Sequence, residues 1–120
     1  MDENKQNSIF DKIIKDADIP KVCKIEYKGE DIEIKYKELL GDEAIEIEKK
    51  YGNDFITIIL EQAYTMLVKA NNGSENDMTR EIWSSLPNKF RTKITMQINM
   101  EEKKDAEVFQ SLQEAQEGSS

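Results

Sequence analysis

Carboxylates in close pairs are the residues whose type and spacing could do chemistry: Glu30/Asp31, Asp42/Glu43, Glu46/Glu48 and Glu101/Glu102. A pair of this kind can share a divalent cation or divide the roles of general acid and base. The chain of 120 residues holds 25 acids, however, so close pairs arise by chance. None falls in a calcium-loop register: Asn71-Asn72-Gly73-Ser74-Glu75-Asn76-Asp77 offers oxygen side chains but lacks the alternating acids and the closing Glu. There is no histidine, which removes the commonest general base, the commonest metal ligand and the usual switch near neutral pH. Cys23 is the single cysteine, so it has no disulfide partner within the chain and no imidazole to activate it. The sequence contains no phosphate-binding loop, no G-x-G-x-x-G, no G-x-S-x-G and no CxxC. The expectation is a protein that is not an enzyme, with no catalytic residues, no cofactor and no metal. Tyr27, Tyr36, Tyr64 and Trp83 could stack on a ligand, but each falls on the apolar stripe of its element and is expected in the core.

Lys and Arg number 17, which leaves a net charge of −8. Such a surface repels phosphates on balance, and direct nucleic-acid binding is not expected. Only the stretch 71–100 is slightly positive; its Arg80, Lys89, Arg91 and Lys93 read as a solvated helix face. The longest apolar run, Ile58-Ile59-Leu60, is far short of the ~20 residues that cross a membrane. The N-terminus, Met1-Asp2-Glu3-Asn4, has neither the charge nor the apolar run of a secretion signal, so a cytoplasmic protein is expected. With 35% charged and 38% apolar residues, the composition supports one modest core and one domain.

The elements that would position any site follow from hydrophobic periodicity. Residues 1–7 are polar and read as a flexible N-terminus. Ser8 can cap a short amphipathic helix over 8–17 with Ile9, Phe10, Ile13 and Ile14 on one face, ended by Ile19-Pro20; its helicity would depend on docking. Cys23, Ile25 and Tyr27, then Ile32, Ile34 and Tyr36, alternate with charged residues on either side of Lys28-Gly29-Glu30-Asp31. That pattern is a β-hairpin with one apolar face, which helices or another chain must cover. After Leu39-Leu40-Gly41 the period lengthens to that of a helix. Asp42 and Glu43 suit its start, Lys49-Lys50 its end, and Gly52 a left-handed cap. A second helix from Asn53 or Asp54 to Ala70 is apolar over more than one face and reads as the central helix, packed on both sides. Thr79 caps a short helix that ends before Pro87, with Met78 placed to pack on Trp83. Pro87 opens a last helix with Phe90, Ile94 and Ile98 at i, i+4 and i+8. The fold class is α+β: an N-terminal β-hairpin packed on a mainly helical body of four to five helices. The compact domain is expected over 8–100, followed by an acidic tail over 101–120, helical or disordered.

The order of these elements resembles the small tail assembly chaperones of long-tailed bacterial and archaeal viruses. The likeness covers roughly residues 20–112. It rests on the hairpin with its Lys28-Gly29-Glu30 turn, the Leu39-Leu40-Gly41-Asp42-Glu43 start of the following helix, and Trp83-Ser84-Ser85-Leu86-Pro87 before the last helix. The chain has Leu40-Gly41-Asp42 where many members carry Trp-Gly-Glu. The resemblance implies a viral protein of the host cytoplasm that keeps the tape measure and tail tube proteins soluble until the tail polymerises. It further implies a binding surface of Phe90, Ile94, Ile98 and Met100 on the last helix and Val108, Phe109 and Leu112 on the tail, with homo-oligomers possible. The stripe of Phe90, Ile94 and Ile98 would equally serve the domain's own core.

A different class of function also suits a small acidic chain: a regulator or inhibitor of a host protein that mimics nucleic acid with a face of carboxylates. Lysines alternate with the acids through residues 24–37, which breaks up such a face.

Overall fold

In the computed structural model the backbone is described over residues 8–118 and side chains over 8–104. Helix α1 (Ile9–Ala17) leads into strands β1 (Lys21–Tyr27) and β2 (Glu30–Tyr36). Helices α2 (Gly41–Tyr51), α3 (Phe55–Lys69), α4 (Arg80–Ser85) and α5 (Asn88–Gly118) follow. This is the α+β fold that the periodicity predicts, a hairpin on a helical body.

The strands pair antiparallel in the register Cys23↔Ile34 and Ile25↔Ile32, which puts the apolar residues of both on one face. The turn between them, Lys28-Gly29, has φ of 52° and 83°. Two positive φ values match the right-handed strand twist, which is why so short a turn closes the hairpin. Helix α3 packs against β2 and α5 against β1, so the apolar face is covered from both sides, while α2 leans on α3.

The core forms where these elements meet. Cys23, Ile25 and Tyr36 of the hairpin join Ala63, Met66 and Leu67 of α3, Trp83 of α4, and Ile94 and Ile98 of α5. Trp83 and Tyr36 are 1% exposed. Met78, Leu86 and Phe90 pack against this cluster, which includes Trp83, from its rim. Thr95, a buried polar residue, satisfies its hydroxyl on the Arg91 carbonyl at 2.7 Å.

Local chemistry sets the boundaries. Thr79 accepts from the Ile82 backbone N–H at 3.1 Å, capping α4 as predicted, and Asp54 accepts from that of Thr57 at 3.2 Å, which caps α3 at one of the two expected starts. Glu43 reaches back to the Leu40 N–H at 2.7 Å, and Lys69 bonds both Glu43 and the Glu38 carbonyl, which ties α3 to the start of α2. Gly52 takes φ 59° and ψ −115°; the positive φ agrees with the predicted cap, but ψ lies outside the left-handed helical well. The loop 71–78 is closed by Asp77, whose carboxylate accepts from the backbone of Asn72 and Gly73 and from the Ser74 hydroxyl. Asn71 exchanges two hydrogen bonds with the Met78 backbone across its mouth.

Two expectations are corrected by the packing. Phe55 and Ile56, at the start of α3, are 71% and 72% exposed, although Ile58 in the same turn is buried. Tyr27 and Ile32, towards the tip of the hairpin, also stay 43% and 39% exposed rather than joining the core. Helix α5 is continuous from Asn88 to Gly118. Its Glu102 is bonded to Lys21 at 2.9 Å and to the Tyr36 hydroxyl at 3.3 Å, so the body extends at least that far.

Candidate functional site

Helix α1 is built well and packed poorly. Ser8 and Asp11 form a reciprocal capping box, each accepting the other's backbone N–H at 3.3 Å. At the other end Ala17 is buried, and Asp18 pairs with Lys37 at 3.2 Å. Between these anchors Ile9, Phe10, Ile13 and Ile14 all face outward, Phe10 with 71% of its surface exposed. At 100° per residue they cover an arc of about 140°, a stripe wide enough to bury against a neighbour. The exposed apolar area is on the order of 450 Å², within the range where an exposed patch marks an interaction site.

The electrostatics of this face differ from those of the molecule. Lys12 and Asp16 border the stripe on one flank, Asp11 and Lys15 on the other, so a chain of net charge −8 presents a locally neutral rim here. Nothing in that rim repels a partner of either sign, and the stripe itself selects for apolar surface. Covering a large apolar side chain is worth about 1.5–3 kcal/mol relative to leaving it in water. Four such side chains in one row favour an amphipathic helix as occupant, docked along i, i+3, i+4 positions.

The sequence-predicted contact residues lie elsewhere. Ile94 and Ile98 are 3% and 0% exposed and belong to the core, where α5 seals the hairpin. Phe90 is half-buried with its ring edge-on to Tyr27. Met100 is exposed, as is Met96 one turn earlier. Val108, Phe109 and Leu112 are on α5 past Lys104, outside the described side chains. A partner surface on the described part of α5 is therefore reduced to Met96, Met100 and the free edge of Phe90. The stripe on α1 was legible as amphipathic, but periodicity does not tell a face turned to the core from one turned to solvent.

Of the paired carboxylates, Glu43, Glu101 and Glu102 take part in structural contacts, as does Glu61. Glu61 takes both guanidinium nitrogens of Arg80, at 2.7 and 2.8 Å, and the Tyr51 hydroxyl at 3.0 Å, joining α2, α3 and α4. The Arg80 guanidinium beside it, helped by the Tyr51 hydroxyl, holds the Glu61 carboxyl below the usual range against the opposing effect of burial. Arg80 also stacks 3.9 Å from the centre of the Tyr64 ring. At the base of the hairpin Lys21 bonds Glu38 and Glu102 together. Burial pushes the Glu102 carboxyl up, and the nearby Glu38 adds to this while Lys21 opposes it. Burial pushes the Cys23 thiol up to about 11, with Glu101 adding to the effect, so the thiolate form is disfavoured. Among the described residues no group of three or more Asp, Glu or Cys is placed to hold a metal ion, and no helix is long and apolar enough to cross a membrane.

No family model, no curated protein and no solved structure matches the chain. Its functional reading therefore rests on its own surface.

Proposed function

We propose that this protein is a chaperone in the assembly of viral tails, holding the tape measure and tail tube proteins in solution by covering their apolar helical surfaces. The observation that carries the reading is the stripe of Ile9, Phe10, Ile13 and Ile14, presented outward on a capped helix whose C-terminal end is anchored through Ala17 and Asp18. A tape measure protein offers long apolar helical stripes, and an amphipathic helix is the complement such a stripe requires. The net charge of −8 then keeps the covered client dispersed. A helix free on its long face can dock without disturbing the core that holds the rest of the molecule together.

Co-expression tests this directly. The tape measure protein encoded in the same genome is expected to move to the soluble fraction and to co-purify with this chain. The variant Phe10→Asp/Ile13→Asp, still folded by its circular dichroism, is expected to lose at least nine-tenths of that rescue. A client equally insoluble with and without this chain would overturn the reading, as would rescue by the variant equal to the parent.

A further inference from the structure

The tip of the hairpin and the first turns of α5 form an open notch of about 400 Å³, lined by Glu26, Tyr27, Lys28, Lys89, Phe90 and Lys93. Its apolar wall is the edge-to-face pair of Tyr27 and Phe90, with ring centres 5.5 Å apart and planes at 63°. Three ammonium groups stand around these rings. Lys28 is 5.4 Å from the centre of Tyr27, and Lys89 and Lys93 are 5.5 and 5.8 Å from that of Phe90. Lys93 also donates to the Glu26 carbonyl at 3.4 Å, which steadies its arm along the wall.

Two features separate this cluster from ordinary solvated lysines. First, acids outnumber bases in the chain by 25 to 17, yet Lys28, Lys89 and Lys93 make no ion pair among the described residues. The rings they stand over attract cations weakly and leave their charge uncompensated. Second, Lys28 occupies a left-handed position, φ 52°, where a hairpin turn ordinarily carries Asn or Gly. A lysine there is sterically disfavoured, and its effect is to hold a cation beside the Tyr27 wall of the notch.

We propose that this notch binds an acidic peptide segment of a partner protein, carrying one aromatic or branched apolar side chain between carboxylates. The apolar side chain enters against Tyr27 and Phe90, and the flanking carboxylates meet Lys28 on one side and Lys89 and Lys93 on the other. Nucleic acid suits the notch less well. A phosphate chain needs cations along a track, whereas these three converge on one notch, and both Glu26 and the net charge of −8 oppose a long polyanion. A short peptide with a few carboxylates brings less charge and a side chain sized to the space. The proposal is independent of the α1 stripe, which shares none of these residues.

The test is a titration of the full chain, uniformly labelled with nitrogen-15, with the capped peptide Asp-Glu-Trp-Glu-Asp, followed by amide correlation spectra. Shifts are expected to cluster on residues 26–28 and 89–93. The variant Lys28→Asn/Lys89→Gln/Lys93→Gln is expected to weaken binding at least tenfold. Asn at position 28 suits the turn, and an unchanged near-ultraviolet signal from Trp83 establishes that the variant is folded. Raising NaCl from 50 to 300 mM is expected to weaken binding at least threefold. Absence of shifts, shifts centred elsewhere, or equal binding by the triple variant would overturn the proposal. So would a ten-nucleotide oligothymidylate that produced the same shifts at lower concentration, which would make the notch a nucleic-acid site. In a separate arm, Phe10→Asp is expected to leave the titration unchanged; loss of binding there would tie the notch to α1 and overturn its independence.

Discussion

Glu102 shows how one residue of this protein is pulled in two directions. Its carboxylate shares Lys21 with Glu38 and accepts from the Tyr36 hydroxyl, at a place where burial disfavours charge. A carboxyl whose pKa rises on folding contributes most to stability below the ordinary carboxylate range, and that contribution is lost as pH rises through the folded value. Charged Glu102 thus opposes folding at neutral pH, whereas Glu43 and Glu61, held low by Lys69 and Arg80 respectively, favour it. For Glu102→Gln, urea unfolding is expected to give the parent's stability near pH 4, where Glu102 is protonated and Gln is its near-isostere. At pH 7 the variant is expected to be more stable than the parent. Equal stability at both pH values would show that Lys21 compensates fully for the burial of the charge. The same network holds Tyr36 in place, and Tyr36 with Trp83 supplies the largest buried side chains of the core.

At the scale of elements the contrast is between the helices that fill the core and those that do not. Helices α3, α4 and α5 each contribute buried side chains to the main cluster, whereas among the described residues α1 contributes only Ala17 to the buried set and α2 none. A helix of nine residues has little stability of its own, so α1 depends on its capping box and its C-terminal anchor. Ser8→Ala is expected to cost about 1 kcal/mol within α1. Amide hydrogen exchange over residues 9–17 would speed up accordingly, while the unfolding midpoint of the body stays where it is; a lowered midpoint would mean that α1 packs on the core after all. The sequence made most of this architecture legible. Strict alternation over 23–27 and 32–36 marks a hairpin, and Ser8, Asp54, Thr79 and Pro87 mark helix starts because caps act locally. What periodicity leaves open is which of several apolar stripes the single core has room for. The stripe of Ile94 and Ile98 is taken up, while those of Ile9 to Ile14 and of Phe55 and Ile56 are not. The lysine notch was hidden for a different reason. Lys28 and Lys89 are 61 positions apart, and only the folding of α5 against β1 brings them together.

Charge and exposed apolar surface act against each other over the molecule as a whole. At neutral pH the excess of eight negative charges keeps copies apart, although α1 presents a stripe that would gain by self-association. The isoelectric point lies at about 4.7, where this repulsion vanishes. The fold should persist there, because the carboxyls of Glu43 and Glu61 are held below their ordinary value. The stability they lend is present above the unfolded pKa and is lost only as pH falls through the lower folded value. Light scattering on lowering the pH from 7 to 4.7 is therefore expected to report association with the near-ultraviolet signal of Trp83 unchanged, which separates it from acid unfolding. Phe10→Asp/Ile13→Asp is expected to suppress that association, since it breaks the stripe at its centre. Added salt at pH 7, by screening the repulsion, should promote it in the parent alone. Association that the double variant shares with the parent would assign it to the other exposed apolar residues, Phe55 and Ile56 at the start of α3 or Met96 and Met100 on α5. If the stripe responds as expected, the excess acid of this chain has a physical role beyond solubility: it holds α1 open between copies, so that the helix is available to a client.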